Sequence, residues 1–252
     1  MELNSAHLPR EAAISPAGVP AIPLADLAWF RERSYRLLSQ SFLYPDDDVV
    51  QTARGLAAEL GEEHTIEDEL AISAEFRHLC STWRDIDEPT VKLLQTRYVS
   101  LFAATAGGVP CPPYEAMYMA ARGLSDAVVL ASVERDYATA GLYGTSTKKQ
   151  SPDHISMETE FLAILCGRES QAWELEKTRQ GIDLLEKESK FIETHLGLWL
   201  RAFGHDVRRA DPGGVYADIA AAALAFVTHD RDLAEELAAS PSDEPEETHE
   251  QG

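Results

Sequence analysis

The sequence predicts an all-α protein, folded as a single helical-bundle domain of roughly eight to eleven helices, with two lobes joined by a hinge loop. Apolar residues recur every three or four positions through most of the chain, as they do on one face of an α-helix. Alternation of apolar and polar residues, the pattern of a half-buried strand, is nearly absent. Capping residues and glycines frame the helical stretches.

The predicted helices follow one another from Leu27 onwards. Asp46 supplies a cap for the second helix and Gly61 closes it. Pro89 suits the start of a later helix, because its missing N–H would have no partner there. The apolar stripes that define the helices run through residues 27–42, 49–60, 70–83, 91–102, 129–140, 185–203 and 215–227.

Both ends of the chain differ from this pattern. Residues 1–23 carry Pro9, Pro16, Pro20 and Pro23 among small residues, which predicts a flexible proline-rich leader. Residues 239–252 are rich in Asp and Glu and have no apolar face, which predicts an acidic disordered tail. We therefore expect the helical domain to comprise residues 24–238.

Two stretches interrupt the helical pattern. Residues 107–114 contain Gly-Gly-Val-Pro-Cys-Pro-Pro-Tyr, in which the prolines favour an extended backbone. Residues 141–152 are predicted to form the hinge, with Gly141 capping the preceding helix and Pro152 in the first turn of the next. A hinge of this kind is compatible with a monomer or with a domain-exchanged dimer.

The composition of the chain disfavours several classes of function. The formal net charge of −21 would repel nucleic acid and anionic lipid, and it fits either solubility, a saline cytoplasm or a basic partner. No secretory segment and no run of apolar residues long enough for a membrane span is visible, which favours the cytoplasm. Cys80, Cys111 and Cys166 are widely spaced, which argues against a disulfide framework or a metal centre.

The residues after the hinge are the candidates for function. His154, Glu158, Phe161 and Leu165 share one helix face, and Asp153 lies where a carboxylate can cap the helix. Capping alone would explain Asp153. Alternatively, Asp153, His154 and Glu158 line the mouth of a groove beside the hinge, ready to bind a cationic or donor-rich ligand. Phosphate-loop, nucleophile-elbow and dinucleotide-binding motifs are absent, so the sequence does not predict an enzyme.

Four landmarks occur in order along the chain and resemble the TorD/DmsD/NarJ family of redox-enzyme maturation chaperones. They are Tyr98-Val-Ser-Leu101-Phe102, Pro110-Cys-Pro-Pro-Tyr114-Glu115-Ala-Met-Tyr118, Pro152-Asp153-His154-Ile155 with Glu158 and Phe161, and Phe191 with His195, Leu196 and Trp199. The Pro-Cys-Pro-Pro-Tyr-Glu form is similar to chaperones of type II dimethyl sulfoxide reductase family molybdoenzymes. Two positions depart from the family pattern: Ser151 stands where glutamate is common, and Thr159 where leucine is common.

The resemblance implies a cytoplasmic chaperone without a cofactor of its own. Its partner would be the apo catalytic subunit of a molybdenum oxidoreductase, bound in part through a twin-arginine signal peptide and held for cofactor insertion. The residues that the resemblance nominates for binding the client or its signal peptide are Tyr98, Leu101, Tyr114, Glu115, Pro152, Asp153, His154 and Glu158. Leu101 is equally compatible with a place in the core.

Three alternatives remain open at the level of sequence. The first is a chaperone of a cytoplasm-facing nitrate reductase, which has no exported signal peptide to guard. The second is a metal-dependent hydrolase that uses Asp153, His154 and Glu158, although the sequence nominates no further ligands. The third is a helical scaffold in which Asp153 is a helix cap and the prolines of residues 110–113 form a rigid corner.

Overall fold

The computed structural model describes residues 22–62, 72–103, 107–142 and 150–239, and in these ranges the chain is all-helical, as predicted. Ten α-helices and one 3-10 turn (Ala120–Arg122) make up the described part. The helices are α1 (Leu24–Ser41), α2 (Asp47–Leu60), α3 (Ala74–Arg84), α4 (Glu88–Phe102), α5 (Glu115–Met119), α6 (Asp126–Thr139), α7 (Ile155–Glu174), α8 (Thr178–Thr194), α9 (Leu196–Ala210) and α10 (Val215–Ala239). The predicted leader and acidic tail lie almost entirely outside the described residues.

Short polar side chains cap the N-termini of three of the early helices. The Asp46 carboxylate accepts the Val49 amide at 3.0 Å and caps α2, as the sequence predicts. Ser73 caps α3 through its hydroxyl, and Asp87 caps α4 by accepting the Thr90 amide at 2.9 Å. These caps satisfy backbone donors that a helix end otherwise leaves without partners.

One hydrophobic core joins the elements on both sides of the predicted hinge. Helix α1 packs along α7, α7 packs on α8, and α10 covers α8, α9 and α3. Core side chains come from all these helices, and they include Phe30, Leu38, Phe76, Phe161, Phe191, Trp199, Phe203 and Phe226. The two predicted lobes therefore share a core. Gly141 has the positive φ of 76° that a helix-terminating glycine adopts, while residues 143–149 of the hinge lie outside the described ranges.

The predicted helix over residues 185–203 is wrong in one respect, because it is broken at His195. Helix α8 ends at Thr194, α9 begins at Leu196, and His195 has φ −129° and ψ −97°. The backbone turns so tightly that a Cβ on Gly197 would lie 2.6 Å from the carbonyl oxygen of Ile192. Glycine is the residue that permits this approach.

A buried ion cluster lies in the centre of the bundle. The Arg31 guanidinium donates to Glu169 at 2.6 Å, to Glu188 at 2.5 Å and to Asp230 at 2.5 Å, and the Tyr35 hydroxyl also donates to Asp230, at 2.7 Å. We call Arg31, Glu169, Glu188 and Asp230 the Arg31 cluster. Its members belong to α1, α7, α8 and α10, so a single guanidinium joins four helices.

Candidate functional site

A strip of tyrosines lies where α4 meets the proline-rich loop. Tyr44 is 44% exposed, and its ring packs edge-on against half-buried Tyr98 with a centroid distance of 5.6 Å. Burial, and then the charge of Tyr114, raise the pKa of Tyr98 to about 12. Tyr114 is half-buried in turn. We call Tyr44, Tyr98 and Tyr114 the tyrosine strip.

The end of the strip pairs with the segment that precedes α7, residues 151–154. Tyr114 and His154 form an isolated antiparallel bridge, and their rings stand edge to face at 5.1 Å. Two backbone hydrogen bonds extend this pairing: the Glu115 amide donates to the Asp153 carbonyl at 2.9 Å, and the Ile155 amide donates to the Pro113 carbonyl at 3.0 Å. The second and third sequence landmarks are thus held together as a short two-stranded contact.

Asp153 and His154 have capping roles that differ from those predicted. The Asp153 carboxylate accepts the Ala116 amide at 3.2 Å, so it caps α5 rather than the helix that follows it in sequence. His154 is the N-cap of α7, since its Nδ1 accepts the Ser156 amide at 3.1 Å. Pro152 therefore lies before the helix and not in its first turn. The Ser151 hydroxyl donates to Asp153 at 2.5 Å and helps to fix this carboxylate.

Beneath the 151–154 segment lies a second buried group of acids. His195 contacts Glu115 through Nδ1 at 2.9 Å and Asp136 through Nε2 at 3.1 Å. The indole N–H of Trp199 donates to Glu158 Oε2 at 3.1 Å, while Glu158 Oε1 is buried and has no hydrogen-bond partner among the described residues. We call Glu115, Asp136, Glu158 and His195 the Glu158 cluster. It joins α5, α6, α7 and the junction between α8 and α9.

The environment of Glu158 favours its neutral form. Burial, and then the negative charge of Glu115, raise the pKa of Glu158 well above its ordinary value, and the donor of Trp199 opposes this rise only in part. Glu158 is therefore the carboxyl group of this cluster that favours a bound proton.

The structure brings most of the predicted site residues together, but it buries several of them. Asp153, His154 and Glu158 are 3%, 1% and 0% exposed, so in this conformation they do not line the mouth of an open groove. Leu101 is 3% exposed and belongs to the core. Glu115 is buried too. The predicted residues that reach the surface at least in part are Tyr98, Tyr114 and Pro152.

Sequence reasoning missed three contributors. Tyr44 extends the strip from a loop between α1 and α2, and its aromatic side chain beside Pro45 was the available signal. His195, which the sequence indicates only as part of the fourth landmark, and Asp136 complete the Glu158 cluster. No local sequence pattern indicates a role for Asp136, because its partner, His195, is 59 residues away in the chain.

The metal-dependent alternative gains no support in the described part of the chain. There, the group of three potential ligands whose atoms lie within 4.8 Å of one another is Cys166, Glu169 and Glu188, and not the predicted set. The Arg31 guanidinium donates to both of these glutamates, so a cation already fills that position.

Across the described ranges, every helix is too short or too polar to span a bilayer.

Comparison with known proteins places this architecture in a family. The family model described as nitrate reductase delta subunit matches residues 56–204. Relatives with the name chaperone protein TorD include one from Vibrio cholerae (strain M66-2), 27% identical over 172 residues, which are 68% of this chain and 76% of that protein. Another, from Vibrio parahaemolyticus, is 28% identical over 114 residues, which are 45% of this chain, and the match spans only 52% of that relative's length.

A solved structure of a candidate redox enzyme maturation protein from Archaeoglobus fulgidus is 24% identical, with a TM-score of 0.46 over 78% of this chain and 93% of that chain. The family match extends from the middle of α2 to α9, and it includes the tyrosines of α4 and α5 and the whole Glu158 cluster. Since it covers more than half of the sequence, the chain belongs to the nitrate reductase delta subunit family, the TorD/NarJ family that the sequence landmarks indicate.

Proposed function

We propose that this protein is a non-catalytic cytoplasmic chaperone that binds the apo catalytic subunit of a molybdenum oxidoreductase and holds it for cofactor insertion. Membership of the TorD/NarJ family supports the chaperone role, and the TorD relatives carry that name. From the Pro110-Cys-Pro-Pro-Tyr-Glu115 form we predict a client of the type II dimethyl sulfoxide reductase group.

The tyrosine strip is the surface that we propose for the client, and it is the observation that carries the proposal. Tyr44 and the half-buried rings of Tyr98 and Tyr114 offer amphipathic aromatic contacts that end at the 151–154 segment. Tyrosine is enriched in binding surfaces because it gives a large apolar area and a polar tip at little conformational cost.

A twin-arginine signal peptide matches this surface in two ways. Its apolar stretch would bury area on the tyrosines, at about 25 cal/mol per Å² before ordering costs are subtracted. Its arginines would be attracted by the net charge of −21, which acts mainly on the rate of encounter and weakens with salt. Asp153 and His154 are buried here, so their proposed contact with a client needs a conformation in which the 151–154 segment has moved.

An affinity pull-down from the native cytoplasm tests the proposed function directly. The expected partner is a molybdoenzyme catalytic subunit, and its amino-terminal peptide should then bind the isolated chaperone in calorimetry. A partner captured through its folded body, with no binding of the peptide, would favour the nitrate reductase alternative. Recovery of no molybdoenzyme subunit would favour the scaffold alternative.

Tyr44→Ala tests the surface. Because Tyr44 is largely exposed, the variant should keep its fold and lose about tenfold in affinity for the client peptide, which corresponds to about 1.4 kcal/mol. Leu175→Ala is the matched control, since Leu175 is 56% exposed but lies at the opposite end of α7 from His154. Equal affinities of both variants and the parent protein would exclude the tyrosine strip as the binding surface.

A further inference from the structure

The Glu158 cluster and the 151–154 segment are connected through a single residue. The Glu115 carboxylate belongs to the cluster and contacts His195, whereas the Glu115 backbone amide holds the segment by donating to Asp153. A second link is the Tyr137 hydroxyl, which donates to the Pro152 carbonyl at 2.8 Å from α6. A change of charge inside the cluster therefore acts on the groups that keep the segment in place.

Glu158 is the group whose charge can change. It lies in the first turn of α7, is fully buried, and leaves one carboxyl oxygen without a hydrogen-bond partner in the described part of the chain. An ionised carboxylate at this place would face the Glu115 carboxylate, and no lysine or arginine among the described residues is hydrogen-bonded to it, so its cost in a dry interior is large. Hydration could relieve that cost only if α5 and the start of α7 separated.

We propose that Glu158, Glu115 and His195 form a proton-linked latch, in which the proton held by Glu158 keeps the 151–154 segment closed against α5 and loss of this proton opens it. Opening breaks the two backbone hydrogen bonds of the segment and exposes Asp153 and His154, which are buried in the closed state. The proton passes to water and no other bond changes. This inference stands independently of the identity of any client.

The titratable and charged groups around Glu158 come from every neighbouring element. Helix α5 contributes Glu115, α6 contributes Tyr137 and Asp136, and the segment contributes Asp153. His195 follows α8, and Trp199 of α9 donates to Glu158. Helix α1 packs on another face of α7, where Arg31 contacts Glu169 and Ser39 contacts Glu160. Within the part of the chain described here, no lysine or arginine side chain is hydrogen-bonded to Glu158.

The sign of the effect follows from the position of the proton. The closed form keeps the proton on Glu158, since burial raises its pKa, and the open form loses it to water, where a glutamate has a pKa of about 4.3. Between these two values each unit of pH should increase the population of the open form about tenfold, because one proton is released on opening. Below both values opening should not depend on pH.

Amide hydrogen exchange of the client-free protein between pH 5.5 and 8.5 tests the latch. After correction for the intrinsic exchange rate, protection of the Glu115, Ala116 and Ile155 amides should fall by up to about tenfold per pH unit. The amide of Lys177, which donates to Ala172 at the other end of α7, serves as the internal control and should not respond. Uniform behaviour of all four amides would overturn the proposal.

Glu158→Gln supplies the matched variant. The amide keeps an acceptor for Trp199 but has no proton to lose, so protection of the three amides should become independent of pH. An unchanged pH dependence in a folded Glu158→Gln protein would overturn the proposal. If this variant does not fold, the carbon-13 signal of the Glu158 carboxyl in the parent protein decides: a protonated group at pH 6 supports the latch, and an ionised one overturns it.

Discussion

Two buried acid clusters in one bundle are balanced in different ways. In the Arg31 cluster three carboxylates meet a guanidinium at 2.5 to 2.6 Å, and the four residues tie α1, α7, α8 and α10 together. In the Glu158 cluster two carboxyl groups, those of Glu115 and Asp136, contact one imidazole, and the third, that of the fully buried Glu158, receives the neutral donor of Trp199. Both clusters include α7, but one contains a guanidinium and the other an imidazole.

This difference separates a cluster whose central cation keeps its charge from a cluster in which a buried carboxyl group can release a proton. A guanidinium stays charged in any folded protein, so the Arg31 cluster keeps its centre at every pH. Burial raises the pKa of Glu188 as it does that of Glu158, but at Glu188 the charge of Arg31 opposes the rise. The Arg31 cluster lies among four long helices, whereas the Glu158 cluster lies beneath the loops that hold the candidate site. The exchangeable proton is therefore next to the part of the molecule that we expect to move.

The largest loss of stability should follow from removal of the Arg31 guanidinium. Arg31→Met leaves three buried carboxyl groups without their partner and should lower the free energy of unfolding by about 3 to 5 kcal/mol at pH 7, measured by urea denaturation. The loss should shrink as the pH falls, because burial raises the pKa of Glu169 and of Glu188 and these carboxyl groups then bind protons. Arg179→Met is the control, since its pair with Asp183 is 85% exposed on the arginine side and should contribute about 0.5 kcal/mol or less. Equal effects of the two variants would contradict a structural role for the Arg31 cluster.

Each cluster accepts a hydrogen bond from a tryptophan, and this permits a matched pair of variants. Trp199→Phe removes the indole donor to Glu158 and leaves a small gap beside Tyr118, so we expect a loss of about 2 to 3 kcal/mol. Trp173→Phe removes a donor to Glu169, which keeps Arg31, and should cost about 1 kcal/mol. Thermal and urea unfolding of both variants would measure the difference. A larger loss of stability in Trp173→Phe than in Trp199→Phe would contradict the expectation that Glu158 depends more on its tryptophan donor than Glu169 does.

Much of the fold could be predicted because its signals are local. Asp46 and Asp87 each cap a helix whose apolar stripe begins within the next turn, and Gly141 ends α6 with the backbone conformation that glycine favours. The break at His195 could not be predicted in this way. Leu196 continues the apolar stripe of α8, no side chain caps the junction, and the turn depends on a close approach of Gly197 to the Ile192 carbonyl.

The sequence identified most residues of the candidate site, but it did not predict how they contact one another or which of them are buried. The landmarks around Tyr114 and His154 were recognised separately, yet their pairing joins positions 40 apart in sequence, and no local pattern indicates it. The same holds for the burial of Asp153, which looks like a cap of the next helix until the Ala116 amide is found beside it. Long-range partners decide whether a polar residue faces water or the interior, and sequence spacing does not contain them.

The smallest change, Glu158→Gln, sharpens the comparison through the pH dependence of global stability. The folded protein keeps the proton of Glu158 while the unfolded chain loses it above a pKa of about 4.3, so the free energy of unfolding should fall as the pH rises from there through the raised pKa. This single proton contributes up to about 1.4 kcal/mol per pH unit, and the amide variant should lack that contribution. Relative to the parent, Glu158→Gln should therefore be similar in stability near pH 4.5 and more stable at pH 7.

Glu186→Gln on the solvent-facing side of α8 is the control for this comparison, because the same substitution is made there at an exposed side chain. Urea denaturation of the three proteins at pH 4.5, 6 and 7.5 would give the curves. Parallel curves for the parent and Glu158→Gln would mean that Glu158 is ionised when folded, and the distinction between a fixed and an exchangeable cluster would then fail. Divergence of the Glu158→Gln curve alone would show that one buried proton, held by Glu158, sets the pH response of this side of the bundle.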